Sequence, residues 1–412
     1  MSSTNSPTTS DYEKTILVDV NEICSGGGIY TVASNLIQEI SQKRPKWKFI
    51  LMHRKEYNYL WKSIKNGKNI DALYIIDNYA SVASFVVLNM PIIDDIVTNI
   101  TDLLPDKIKR FLGKIKCFLR YSIMLPNVDL FFDPVTTTSF NNFYLPRVTV
   151  IHDLLYNDLP KRMYSPKYAQ MSAEMAARYS NAIITISKFS QRKIWELLDI
   201  DEKKVHLVYT ALAKRLNRTS IVNHEEVLKK YGLTKNKYIV YPSYFWLHKN
   251  HDRLIEAFMK YRRQYKSDMK LVLMGSVSEI EDEKHHLRNC ADRLVFTNRV
   301  DDNTFRVIME DASAVIQASL YEGFGMTVLE GMNAGKPVTA SRVAAIPEIA
   351  EDAVLYFDPY DVDDICSAIH RITSDENLRC DLIKKGWKQV KKFSNKEKMI
   401  EEYIKIMESV MQ

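Results

Sequence analysis

At 412 residues the chain is too long for one ordinary hydrophobic core and reads as two domains. Its hydrophobic (46%) and charged (26%) fractions are those of a soluble globular protein, and a formal net charge of +6 gives no electrostatic case for nucleic acid. The five cysteines form no CxxC pair and no even framework, which excludes a disulfide scaffold and fits reduced thiols in a cytosolic compartment.

Residues 1–12 are polar and lack an apolar h-region, so a disordered tail is expected there rather than a signal peptide. The run "SVASFVVLNMPII" is broken by Asn89 and Pro91. It is shorter than the about 20 residues a membrane helix needs. Strands are predicted at 16–20, 48–53, 72–77, 129–133, 148–153, 182–187 and 205–210. A second set follows at 237–243, 270–276, 293–298, 314–319, 337–341 and 353–358. Helical patterns fill the gaps. Nearly continuous apolar strands separated by helices argue for parallel sheets covered on both faces, hence an α/β chain of two doubly wound, Rossmann-like domains facing across a cleft. The polar stretch "NRTSIVNHEE" fits the junction.

One segment is locally basic. Over 101–125, Lys107, Lys109, Arg110, Lys114, Lys116 and Arg120 stand against Asp102 and Asp106, a net +4. Ile108, Phe111, Leu112, Ile115 and Leu119 recur at helical spacing. An amphipathic helix of this kind suits an anionic membrane surface, and equally a core-facing helix with a solvated basic face.

In open α/β sheets ligands bind beyond the carboxyl ends of strands. The first strand is followed by Gly26, Gly27 and Gly28 before a helix, where amides can approach a phosphate; a plain strand-to-helix turn explains the glycines as well. His152 and Asp153 end the strand "VTVIHD", a place for a hydrogen bond to a sugar hydroxyl or for a structural histidine and a turn cap. Ser187 reads as a helix N-cap. His248 and Lys249 precede a helix, where the lysine could hold a leaving diphosphate. The strongest signal is "SLYEGFGMTVLEGMNAGKPV". There a strand gives way to a glycine loop and a helix, with the amides of Phe324, Gly325, Met326 and Thr327 free to meet negative charge. Glu322 and Glu330 would stand about 12 Å apart along such a helix, roughly the reach of a nucleotide sugar from hexose to ribose. Asp301 and Asp302, like Asp94 and Asp95, read as a helix start, and no metal is implied.

"EGFGMTVLE" resembles the E-x7-E signature of the retaining family 4 glycosyltransferases, whose architecture is GT-B. The likeness extends through the 26–28 glycines, "IHDLLY", "TISKFSQ", "YFWLHKNHDRLIEAF", "SRVAAIPEIAEDAVLYFDP" and "FSNKEK". It implies an acceptor-binding domain over 13–215, a nucleotide-sugar domain over 216–395, and a last helix, 396–412, that crosses back to the first domain. By the same resemblance Glu330 would hold the ribose, and Glu322 the donor hexose. The Gly323–Met326 amides would bind sugar and diphosphate. Lys249 would neutralise the diphosphate, and His152 would touch the hexose near the reacting carbon. Gly27 and Gly28 would shape the place where acceptor and diphosphate meet.

Three departures stand out: no arginine lies within 241–248 to partner Lys249, with His248 the nearest substitute; "YTALAK" replaces an Asn-Gly turn; and Thr297, Asn298 and Arg299 replace a glycine after "LVF". The "FWLHKNH" loop is similar to transferases of surface polysaccharide and O-antigen synthesis. Those use GDP-mannose or related sugars on lipid-linked, polyprenyl-diphosphate acceptors at the inner face of the membrane. Expected, then, is hexosyl transfer, best matched by mannose from GDP-mannose, with no metal or other cofactor and a peripheral place on the cytoplasmic side of the membrane. The alternatives are UDP-glucose, UDP-N-acetylglucosamine, dTDP- or GDP-deoxyhexose donors, a nucleotide-sugar epimerase, and a non-catalytic scaffold. The sequence assigns no oligomeric state.

Overall fold

The structure, a computed structural model, describes residues 12–20, 28–54, 69–75, 105, 108, 127–136, 145–159, 161, 166–212, 222–275 and 293–412. The predicted 101–125 helix, apart from Pro105 and Ile108, lies outside them, with Lys107, Lys109, Arg110, Lys114, Lys116 and Arg120. Gly26, Gly27, Asp94 and Asp95 lie outside them too.

Strands and helices alternate. The first series is β1 (Lys14–Asp19), α1 (Gly28–Lys43), β2 (Trp47–Arg54), β3 (Ile70–Ile75), β4 (Leu130–Asp133), β5 (Arg147–Val150), α2 (Pro166–Tyr179), β6 (Ala182–Thr185), α3 (Lys188–Leu197) and β7 (Val205–Leu207). Its strands form one parallel sheet in the order β3-β2-β1-β4-β5-β6-β7. The second series is α4 (His224–Lys230), β8 (Tyr238–Tyr241), α5 (His251–Gln264), β9 (Lys270–Leu273), β10 (Leu294–Phe296), α6 (Asp302–Glu310), β11 (Ala314–Gln317), α7 (Met326–Asn333), β12 (Val338–Ser341), α8 (Ile346–Ala350), β13 (Leu355–Phe357), α9 (Val362–Ser374) and α10 (Glu376–Lys392). Its sheet is also parallel, ordered β10-β9-β8-β11-β12-β13. A last helix, α11 (Lys396–Val410), ends the chain.

Both sheets reverse direction of build-up beside their first strand, between β1 and β4 and between β8 and β11. Such a reversal leaves a crevice at the carboxyl edge because the flanking loops depart to opposite faces. The predicted strands recur in the structure, but β5 stops at Val150 and β6 at Thr185. Apolarity runs on past both ends because Ile151 and Ile186 remain buried after leaving the sheet. Burial, rather than strand pairing, is what the apolar runs record.

Side-chain caps set many helix starts, as short polar residues before an apolar repeat do. Ser187, Asn223, Asp301, Asp361, Asp375 and Asn395 each accept from amides of the first turn. Helix α11 buries Met399, Ile400, Tyr403, Ile404 and Met407 in one cluster with Ile16, Phe49, Phe132 and Val148 of the first sheet. Ion pairs Lys43–Glu401 (2.7 Å), Arg44–Glu408 (3.0 Å) and Lys396–Glu39 rim that contact. Among the described residues no helix is long and apolar enough to cross a membrane.

Candidate active site

The crevice of the second sheet is built by the loops after β8 and β11. The β8 loop carries His248 and Lys249 in a single 3-10 turn, Leu247–Lys249, and enters α5 through Asn250. Asn250 adopts the left-handed conformation (φ 59°), which its short polar side chain tolerates better than most. That side chain donates to the carbonyls of Ala318 (3.2 Å) and Pro359 (2.8 Å), tying the loop to the ends of β11 and β13. The amide of Leu320 donates to the His248 carbonyl at 2.8 Å. Lys249 is thereby delivered to Glu322: ammonium and carboxylate lie 2.6 Å apart, with side chains 19% and 13% exposed.

The same Glu322 oxygen accepts from Ser319 (2.6 Å) and from Gln317. Tyr241 bonds both Ser319 (3.0 Å) and the Lys249 carbonyl (2.9 Å). Burial opposes ionisation of Glu322, but Lys249 and Ser319 outweigh it and hold the carboxyl below its ordinary range. Burial, reinforced by the Lys249 charge, lowers the His248 imidazole to about 4 and that of His251 to about 3. Both rings are neutral near pH 7, so Lys249 carries the positive charge of this loop.

Helix α7 begins at Met326 with Gly325 as its N-cap at φ 108°, a conformation that needs glycine. Thr327 is thus inside the first turn, and no side chain caps the helix. The amides of Met326 and Thr327 have no carbonyl one turn earlier to receive them, which makes this end a natural seat for an anion. Phe324 contributes only backbone here; its ring is buried in the core, edge-on to Phe393. Glu330 is 8% exposed and sits one turn into α7. Gly335 (φ 69°) closes the helix, with the Lys336 amide returning to the Gly331 carbonyl.

The first domain meets this site through the residues after β5. His152 is partly buried, with Nε2 3.0 Å from the Pro134 carbonyl, and burial pushes its imidazole below the ordinary value. Asp153 caps the following turn by accepting from the Leu155 amide at 3.1 Å. A Cβ placed on Gly323 would stand 2.8 Å from the His152 carbonyl oxygen and 2.9 Å from the Asp153 side chain. The domains therefore touch at the glycine loop. Gly28 opens α1, the helix that follows β1.

Gln317 and Ser319, and the anchoring role of Asn250, escape the sequence reading. The available signal was two polar residues closing an otherwise apolar strand, "AVIQAS", and an asparagine directly before a helix. Asn298, in the stretch after "LVF" that lacks a glycine, takes the left-handed conformation (φ 55°).

Two doubly wound parallel sheets meeting at their carboxyl edges, with a lysine–glutamate pair beside an open helix end, give the chain the GT-B architecture. Residues 223–389 match the model of the family described as glycosyl transferases group 1. The chain is 29% identical over 265 residues to O-antigen chain mannosyltransferase B of Escherichia coli, spanning 61% of this chain and 69% of that protein. It is 21% identical over 225 residues to O-antigen chain mannosyltransferase RfbU of Salmonella typhimurium, 54% of this chain and 59% of that one. In fold it is similar to HepE of Anabaena solved with UDP and glucose, with a TM-score of 0.68 at 16% identity, covering 96% and 100% of the two chains.

Proposed function

We propose that the chain moves a hexose from a nucleoside diphosphate sugar to a hydroxyl of a glycan acceptor, with retention at the anomeric carbon and without a metal. The observation that carries this reading is the Lys249–Glu322 pair beside the bare amides of α7, at the switch point of the second sheet. As the glycosidic bond loosens, negative charge grows on the departing diphosphate. Lys249 and the helix amides stabilise that charge in a site from which water is largely excluded. Glu322 accepts from hexose hydroxyls, and Glu330 from the ribose pair. His152 approaches the sugar from the first domain. Acceptor attack occurs on the face the phosphate leaves, and the phosphate oxygen takes the acceptor proton, so no separate carboxylate base is required.

Similarity to two O-antigen mannosyltransferases favours mannose from GDP-mannose and a lipid-linked acceptor. The UDP and glucose held by HepE keep UDP sugars as the second reading. The basic 101–125 segment supports peripheral association with the cytoplasmic face of a membrane.

The test is a transfer assay with GDP-mannose, UDP-glucose, UDP-N-acetylglucosamine and dTDP-rhamnose, on the parent and on Lys249→Ala and Glu322→Ala. Transfer from one donor, abolished in both variants, supports the reading; intact turnover in them overturns the site. Interconversion of free nucleotide sugars would point to an epimerase, and binding without turnover to a scaffold. Flotation on anionic liposomes, with Lys107, Lys109, Arg110 and Lys114 changed to Gln, decides the membrane claim: undiminished binding removes it.

A further inference from the structure

The N-terminus of α3, in the first domain, has amides that its own chain segment does not satisfy. The side chain of its N-cap Ser187 accepts from the Ser190 amide at 3.0 Å. The amides of Lys188 and Phe189 instead donate across the cleft to the two oxygens of Glu348 in α8, at 2.7 and 2.9 Å. A carboxylate at a helix N-terminus makes charge-assisted bonds there and complements the helix dipole. Here helix and carboxylate belong to different domains.

Each end of this clasp is one hydrogen bond from a residue of the candidate active site. On the second-domain side, the amide of Ala345, the N-cap residue of α8, donates to the Glu322 carbonyl at 3.2 Å. On the first-domain side, the Ser190 hydroxyl donates to the His152 carbonyl at 3.0 Å. Gly323 fills the space between, with no room for a Cβ against that same carbonyl. Phe189 meets Tyr321 edge-on at 5.7 Å, and Ile186 packs into the second-domain core. A closed bracket runs from Glu322 through Ala345, Glu348, the start of α3 and Ser190 to His152.

We infer that Glu348 is a positioning residue: by capping a first-domain helix from the second domain, it sets how far His152 stands from Lys249 and Glu322. The role in turnover rests on the proposed transfer reaction, while the clasp itself does not. Loss of Glu348 leaves the donor-binding loops of the second domain intact and frees the first domain to swing away. Binding of nucleoside diphosphate is then kept and the chemical step is lost.

The experiment compares the full-length parent with Glu348→Ala, Glu348→Gln and, as a control, Glu351→Ala, whose parent side chain is exposed and paired with Lys392. Small-angle X-ray scattering on the substrate-free chains reads the domain separation. Glu348→Ala is expected to have the larger radius of gyration, Glu348→Gln to fall between, and the control to match the parent. With the donor that supports transfer, Glu348→Ala should lose about 10- to 100-fold in kcat, the size of one or two charge-assisted bonds, with calorimetric affinity for GDP and UDP unchanged. Scattering and kcat equal to the parent's would overturn the proposal, as would a lowered Tm with an unchanged scattering profile. Should no donor support transfer, the proposed function fails, and the scattering comparison still decides the clasp.

Discussion

The Lys249 ammonium and the Glu322 carboxylate lie 2.6 Å apart although 73 positions of sequence separate them, a distance bridged by the adjacency of β8 and β11. In the free chain each neutralises the other. On the proposed reaction an incoming diphosphate draws Lys249 away from that partner, so the two variants should behave differently in binding. Lys249→Ala should weaken GDP or UDP affinity and lower kcat by about 10²- to 10³-fold, the usual loss on removing one donor to a developing oxyanion. Glu322→Gln keeps the shape and the Gln317 and Ser319 contacts but frees the ammonium, so nucleoside diphosphate should bind a few-fold tighter while transfer slows. Isothermal titration calorimetry and initial rates measure both; equal effects from the two substitutions would show that the pair does not act in this way.

Gly323 and Gly331 share one loop-and-helix segment and should fail differently. A Cβ at 323 collides with the first domain, at His152 and Asp153, whereas one at 331 collides with Val315 and Val338 inside the second-domain core at 2.9 Å. Gly323→Ala should therefore hold its Tm and lose turnover. Gly331→Ala should lose about 1–3 kcal/mol of stability, the cost of overpacking a dense core. Differential scanning fluorimetry beside the transfer assay separates the two, and a Tm loss confined to Gly323→Ala would reverse the assignment.

The sequence carries the fold strongly because parallel strands buried on both faces are nearly continuous apolar runs; "KLVLMGS" and "AVIQAS" could hardly be read otherwise. It also carries the loop at 322–327, where glycines and carboxylates follow a strand. It does not carry partners that depend on tertiary geometry. Glu348 looks like a surface glutamate after a proline, and only the approach of α8 to α3 makes it a cap. Phe324 looks like a binding-loop aromatic, yet its ring packs against Phe393 in the core. Helix starts are legible where the cap is a side chain, as at Ser187 and Asp301, and ambiguous at α7, where the cap is the backbone freedom of Gly325.

Tyr403 of α11 is 2% exposed among first-sheet side chains, far in sequence from every strand it covers. Burial of an aromatic of this size makes truncation expensive: Tyr403→Ala should cost about 3–5 kcal/mol. Because the helix follows the second domain directly, the loss should appear as early melting of the first domain alone. Hydrogen exchange should show it as lost protection in β1, β2 and β4, with β8 and β11 unchanged. Uniform loss across both sheets would argue that the two domains melt as one unit.

The neutral imidazoles of His248 and His251 give the stability of the chain a pH dependence of defined sign. His251 is held between Tyr241 and Phe245, with ring centroids 4.9 and 4.1 Å away, and burial and Lys249 place it at about 3. His248, for the same reasons, stands at about 4. An unfolded histidine titrates at about 6.5. As pH falls through that value the unfolded chain binds protons that the folded chain refuses, so the unfolded state gains and stability falls. The contribution of the pair is complete above about pH 6.5 and declines down to the folded values. Asp153 opposes this, since burial raises its carboxyl and favours the folded state as pH drops. A difference measurement removes that opposition. His251→Phe retains the stack and cannot titrate, so its Tm should fall less than the parent's between about pH 7.5 and about pH 5. Parallel Tm curves for parent and variant over that interval would mean the ring is protonated in the folded chain, and Lys249 would then share the positive charge of its loop with His251.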